Sequence, residues 1–350
     1  MKKLNTIVAL IAGLFAFTSV QAGEITVTGS MQATYQSEVD NVTGNPLGMN
    51  TDLTFSGATD TDYGEVSWSM ATDGAFLGGA DGNSGGNDHK MTLATGLGTF
   101  GLGNTGDAAN AVDDITPTAF EEANGSGSGT YSVDFGSGMD GSMSLTYGNS
   151  DLAGTGISVA YSYYPKLDAT TNNEKAASAD ANSASSSAQS VNVGIPMSSV
   201  PFIGDTALGG MKITAGYEES DSRTASANGK EGATVAAVLP IGPLKVGYQK
   251  KAYQAAQTAI LVANRVFFKD DILGVAYAVN DDFAISYNII ESTNHSKADG
   301  VNVEQETKAI NIAYTVGGLT LGFQDAKTSQ AGYTAATDDD TRTISIKTAF

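Results

Sequence analysis

The last ten residues of the chain, Thr341 to Phe350, alternate without a break. Ile344, Ile346, Thr348 and Phe350 share one face of a strand, and Thr343, Ser345, Lys347 and Ala349 share the other. Successive strand side chains point to opposite faces, so this segment has one mostly apolar side and one polar side. Residues 24–36 repeat the pattern: Ile25, Val27, Met31, Ala33 and Tyr35 oppose Thr26, Thr28, Ser30, Gln32, Thr34 and Gln36. So do Val66/Trp68/Met70, Ile157/Val159/Tyr161, Leu244/Val246/Tyr248, Phe283/Ile285/Tyr287, Ile310/Ile312/Tyr314 and Leu319/Leu321/Phe323. Strands of this kind either pack as two facing sheets or close into a barrel with lipid outside and water inside. An end on an aromatic of the apolar face favours the barrel.

Roughly 17 segments meet the period-2 criterion. A single-chain outer-membrane barrel has an even strand count, with short turns at one rim and long loops at the other. Counting back from Phe350, residues 328–340, 292–306 and 254–267 are long connections, and Gly317-Gly318, Asn280–Asp282 and Pro240–Pro243 are short ones. Counting forward, 37–49, 74–88 and 104–128 are long, and 60–63 and 96–98 are short. The two counts clash between 129 and 164, so the apparent strand at 130–135 belongs to the third long loop or is mispaired. The expected fold is an all-β transmembrane antiparallel barrel of about 16 strands, at about 41 residues per hairpin.

The N-terminus supports export. Lys2 and Lys3, the apolar run Ile7–Phe17 and the small-residue site Val20-Gln21-Ala22 have the order of a cleaved signal peptide. The run is too short to span a bilayer as a helix, which takes about 20 residues. The expected division is residues 1–22 as leader and 23–350 as barrel, with a mature start at Gly23. Mean hydropathy of −0.10 suits alternating strands as well as a soluble protein. Forty-two glycines suit a many-turned β-protein, and the lack of cysteine means that no disulfide holds the fold.

The charge is strongly acidic, with 38 Asp and Glu against 18 Lys and Arg. Removing the leader, which carries two lysines and no acid, takes the net charge from −20 to −22. Binding to nucleic acid is disfavoured, because neutralising phosphates needs a basic surface. An acidic interior instead enriches small cations. The third long loop carries Asp107, Asp113, Asp114, Glu121 and Glu122 and has no basic residue between Gly101 and Gly129. Folded into the lumen, it forms an acidic segment of the kind pores use to favour cations. Strand parity sets Lys90, Lys212, Lys245 and Lys347 opposite to lipid-facing neighbours, so these four are expected to face the lumen.

Other motifs carry less. Gly82-Asn83-Ser84-Gly85-Gly86 fits G-x-S-x-G, but no helical run follows to build the required elbow. The only histidines, His89 and His295, lie far apart in sequence. Asp338-Asp339-Asp340 and the stretch 81–88 are acidic enough to consider for calcium, but neither has a full EF-hand pattern. No catalytic residue, metal site or cofactor is expected.

Four stretches together resemble the Gram-negative general porin family. They are Ile25–Ala33 after the leader, Leu97-Gly98-Thr99-Phe100-Gly101-Leu102-Gly103-Asn104, the hairpin Leu273–Phe283, and the terminal Phe350. The resemblance spans residues 23–350. It implies a 16-stranded barrel, a homotrimer, and a third loop folded inward from about Asn104 to Gly129. It also implies an outer-membrane location among lipid and lipopolysaccharide, and reading of Phe350 by the barrel-assembly machinery. The chain departs from the family in two places. Thr116-Pro117-Thr118-Ala119-Phe120-Glu121 only partly matches the family's loop turn, and Arg223, Arg265 and Arg342 form no arginine ladder. The expected function is passive diffusion of small hydrophilic solutes and ions, with mild cation preference. A lipase-like barrel enzyme and a secreted soluble β-rich adhesin or surface protein are the alternatives.

Overall fold

The structure, a computed structural model, describes residues 24–38, 45–73, 88–123, 133, 135, 139, 141–167, 187–221, 229–254, 266–296 and 302–350. The expected leader, the Gly82–Gly86 motif and residues 168–186 lie outside the described residues.

The strands of the first half are β1 (Thr26–Glu38), β2 (Leu47–Thr61), β3 (Gly64–Asp73), β4 (Asp88–Thr95), β5 (Gly98–Gly103), β6 (Ser144–Asn149), β7 (Ser158–Tyr164) and β8 (Ala188–Pro196). Those of the second half are β9 (Lys212–Ser220), β10 (Glu231–Ile241), β11 (Leu244–Gln254), β12 (Val266–Ala278), β13 (Phe283–Ser296), β14 (Asn302–Val316), β15 (Leu319–Ser329) and β16 (Asp339–Ala349). Each pairs with its sequence neighbours, and β1 pairs with β16, so the sixteen strands form one closed antiparallel barrel. The closing seam sets Ser30 opposite Ala349 and Tyr35 opposite Ile344. It ends with Gly29 and Phe350 exchanging two backbone hydrogen bonds of 2.9 Å. A sheet without edges leaves no strand N–H or C=O to be desolvated in hydrocarbon.

The alternation in the sequence becomes an inverted globular pattern. Ile344 is 51% exposed on the outer face, while its neighbour Ser345 is 1% exposed inside. Ile285 and Tyr287 likewise face out, and Ser286, Asn288 and Ser292 are buried inward. At the seam the outer face needs a glycine. A Cβ on Gly29 would lie 2.7 Å from the Phe350 ring, so the terminal aromatic seats over bare backbone.

The two rims differ as the connection lengths imply. Residues 62–63, 96–97, 242–243, 279–282 and 317–318 are tight turns on one rim. Three boundaries need correction. The third long connection runs through residue 143, not 129, because β6 starts only at Ser144. As the strand count required, the apparent strand at 130–135 is not a barrel strand; its described residues, Val133 and Phe135, are buried within this connection. The connection placed at 292–306 is much shorter, since β13 continues to Ser296 and β14 starts at Asn302. The turn rim also carries a longer excursion, residues 197–211. Its base is closed by Met197 N donating to Met211 O at 2.8 Å.

Candidate functional site

Over its described residues, the connection from Asn104 to Met143 leaves β5 and lies along the inner wall. Its backbone is held by inward side chains from successive strands. Ser190 and Asn192 of β8 bond Ala108 N and O. Gln249 of β11 accepts from Ile115 N (3.2 Å) and donates to Val112 O (3.0 Å). On β13, Ser286 accepts from Ala119 N (2.9 Å) and Asn288 donates to Pro117 O (3.0 Å). Gln324 of β15 donates to Glu122 O at 2.9 Å. Two inward glycines let the segment approach so closely. A Cβ on Gly247 would meet Pro117 Cδ at 2.3 Å, and one on Gly322 would meet the Phe120 ring at 2.4 Å. An apolar patch completes the fit: Ala123 packs on Ile272, Ile290, Ala309 and Ala326, which all face inward. The segment therefore narrows the barrel from the β8–β15 side.

Its carboxylates separate into two groups. Asp107 turns back on its own backbone, accepting from Ala109 N (2.8 Å) and Asn110 N (3.2 Å), and is buried. This corrects its place among the pore-facing acids: it is a local cap. Asp113 accepts from Phe135 N at 3.1 Å. Lys251 of β11, fully buried, sits 2.8 Å from Asp113 and 2.7 Å from Asp114. It also donates to Val133 O at 3.0 Å, which ties the outgoing and returning limbs of the connection together. One ammonium thus serves two carboxylates. Burial outweighs it at Asp113 and, with Asp114 beside it, pushes that carboxyl up to about 7. Burial likewise pushes Glu122 up to about 7, helped by Asp114. Glu121 is raised by burial, against the amide of Gln32 on β1 and the charge of Lys347 on β16. The segment therefore reaches from the β11 wall to the closing seam. Asp114, Glu121 and Glu122 are its partly exposed acids.

Lys90, Lys212, Lys245 and Lys347 lie at inward register positions, alternating with outward Met91, Ile213, Val246 and Ile346. Lys90 comes close to Gly106, where the connection starts. The register does not gather the four into one cluster: they stand on β4, β9, β11 and β16. Two inward lysines were not singled out from sequence. Lys251 is the more important; the other, Lys230, pairs with Glu218 at 3.1 Å with both side chains buried. Extending the β11 parity Lys245, Gly247, Gln249 by one more step would have found Lys251.

The remaining candidates do not converge. His89 is on the outer face of β4, and His295 is on the outer face of β13, next to Asn302 Oδ1 at 2.9 Å. Asp339 is buried inward, while Asp340 faces out and pairs with Lys327 at 3.0 Å, so these two neighbours do not share a pocket. Among the described residues no group of three or more His, Asp or Glu is arranged to hold a metal ion.

Solved outer-membrane barrels share this architecture. A refined porin structure superposes with a TM-score of 0.61 at 16% identity, covering 93% of this chain and 100% of its own. OmpT, an outer membrane protein of Vibrio cholerae, gives 0.64 at 11% identity, covering 94% and 100%. Salmonella typhi OmpF, solved in complex with daunomycin, gives 0.63 at 12% identity, covering 94% and 98%. At these identities the likeness speaks for the fold alone. No curated protein sequence matches the chain. The sequence pattern of the family described as Gram-negative porin, however, matches residues 7–349. The chain belongs to the Gram-negative porin family.

Proposed function

We propose that this outer-membrane channel passes small hydrophilic solutes and ions by passive diffusion and mildly prefers cations. Sixteen strands enclose an aqueous channel, and no step of such transport needs an energy source. The observation that carries the preference is the lumenal segment: Asp114, Glu121 and Glu122 are partly open to the pore, while the cation nearest Asp114, Lys251, is itself buried. Carboxylates in a narrow wet passage raise the local concentration of cations and repel anions. Lys90, Lys212, Lys245 and Lys347 temper that preference from the wall.

On this reading residues 1–22 are removed during export, and Phe350 is the end read by the barrel-assembly machinery. The protein works as a homotrimer among outer-membrane lipid and lipopolysaccharide. The outer face of β1 to β5 supports the trimer: it presents Met31, Tyr35, Leu47, Met49 and Trp68 and no Asp, Glu, Lys or Arg. In a closed ring each copy buries one such apolar patch against a different patch of its neighbour.

The test is the reversal potential of the purified protein in a planar bilayer under a KCl gradient. The wild type is expected on the cation side, and Asp114→Asn/Glu121→Gln/Glu122→Gln closer to zero. Anion preference in the wild type overturns the selectivity, and the absence of conductance overturns the channel.

A further inference from the structure

The connection between β15 and β16, residues 330–338, also folds into the barrel. The Tyr333 hydroxyl lies 2.7 Å from Ser292 Oγ on the inner face of β13. Its ring lies 5.7 Å from that of Phe268, which faces inward from β12. Gly332 N donates to Gln305 Oε1 of β14 at 3.0 Å, and Ala331 is buried. A segment that only had to join β15 to β16 has no reason to cross back over β14, β13 and β12. The detour uses left-handed backbone at three non-glycine residues: Gln330 (φ 53°), Tyr333 (φ 56°) and Ala336 (φ 59°). For residues that carry a Cβ this backbone is strained. The strain is sustained only because the interior contacts offset it.

Those contacts continue into the constriction. Ser292 Oγ donates to Asp270 Oδ1 at 2.5 Å, and Asp270 Oδ2 accepts from Val133 N at 2.5 Å. Val133 O accepts from Lys251, which holds Asp113 and Asp114. Tyr333 is thus the mouth-side end of a hydrogen-bonded chain rooted at the acidic segment. It stands on the same wall, nearer the rim of long connections.

We infer that residues 330–338 form a second narrowing element, in which the Tyr333 ring limits the size of solutes before they reach the acidic segment. This rests on the channel reading. Because the ring is neutral, it acts on cross-section and not on charge, which separates its effect from that of the acids.

The test compares wild type, Tyr333→Ala and Tyr333→Phe as full-length folded barrels. The readouts are unitary conductance, vesicle swelling with uncharged sugars of increasing size, and reversal potential. Tyr333→Ala is expected to raise conductance and move the sugar cut-off to larger solutes without moving the reversal potential. Tyr333→Phe, which keeps the ring, is expected to retain the wild-type cut-off. An unchanged conductance and cut-off in Tyr333→Ala overturns the inference while leaving a conducting wild type, and so the channel reading, intact. If Tyr333→Ala does not fold, Tyr333→Cys serves, since the chain has no other cysteine. A bulky thiol reagent should then lower its conductance, and no change on modification overturns the inference.

Discussion

The two halves of the barrel, β1–β8 and β9–β16, differ on both faces. The outer face of β1–β8 carries no Asp, Glu, Lys or Arg. The outer face of β9–β16 ends, beyond its apolar band, in charges such as Lys250 with Asp271, Lys308 with Glu306, Lys327 with Asp340 and Arg342 with Asp325. Inside, the contrast takes another form. The wall of β1–β4 is lined by hydroxyls such as Ser30, Ser67 and Thr92, whereas β8–β15 is covered by the acidic segment and, above it, by Tyr333. The same alternating strand thus serves two purposes. The first half offers a smooth apolar outside and, along β1–β4, a polar hydroxyl-lined inside. The other carries most of the acidic segment inside and paired charges beyond its apolar band outside. On the proposed reading, the groups that set selectivity are gathered on one wall.

The sharpest way to break the comparison is at Lys251. Lys251→Met leaves buried Asp113 and neighbouring Asp114 without their shared cation. It should cost about 3–5 kcal/mol, read from urea unfolding in lipid vesicles. Lys90→Met on the opposite wall, where the lysine is only partly buried, should change stability by about 0.5 kcal/mol or less. Equal losses would show that the two walls are not differently built. Next come the outer faces. Ile312→Arg places a charge in the apolar band and should cost about 2–4 kcal/mol. Leu53→Arg should in addition dissociate the oligomer in native gels, and an intact oligomer in that variant would remove β2 from the interface.

A smaller effect is expected at Gly247→Leu, where the new side chain must displace Pro117. Overpacking of this kind costs about 1–3 kcal/mol, and the displaced segment should alter unitary conductance. The smallest concerns pH. Asp113 and Glu122, both pushed up to about 7, are largely protonated at pH 6 and largely ionised at pH 8. Ionisation adds negative charge to the lumen, so cation preference should increase as pH rises through 7. A reversal potential that is flat from pH 6 to 8 would contradict the buried setting of these two groups.

The legible part of the fold ends where the lipid band ends. Leu244, Val246 and Tyr248 mark β11 by apolar contrast, but the next outward residue is Lys250. The contrast vanishes there although the strand continues to Gln254. This hid Lys251, and the outward charges Glu291 and Glu306 made 292–306 read as a loop. Tyr131/Val133/Phe135 show the converse: the alternation marks an apparent strand that the strand count had to assign to the third connection or treat as mispaired. Val133 and Phe135 are apolar because they pack inside the barrel with Ala109, Tyr253 and Phe268, and alternation alone cannot separate that from contact with lipid. The acidic character of the constriction was legible as composition. That Asp107 caps a turn while Asp114 pairs with Lys251 and stays partly exposed depends on backbone geometry that composition does not encode. Nor did anything in Gln330–Asp338 signal the inward course of Tyr333.

The central claim is that adjacent residues of one strand meet water inside and an apolar surface outside. It is tested most directly with single cysteines in this cysteine-free chain. Ser30→Cys and Met31→Cys, in the folded protein in vesicles, are exposed to a charged, membrane-impermeant thiol reagent added from either side. Fast modification of Ser30→Cys, with a fall in conductance, and protection of Met31→Cys is the predicted result. Modification of Met31→Cys with Ser30→Cys protected would contradict the account.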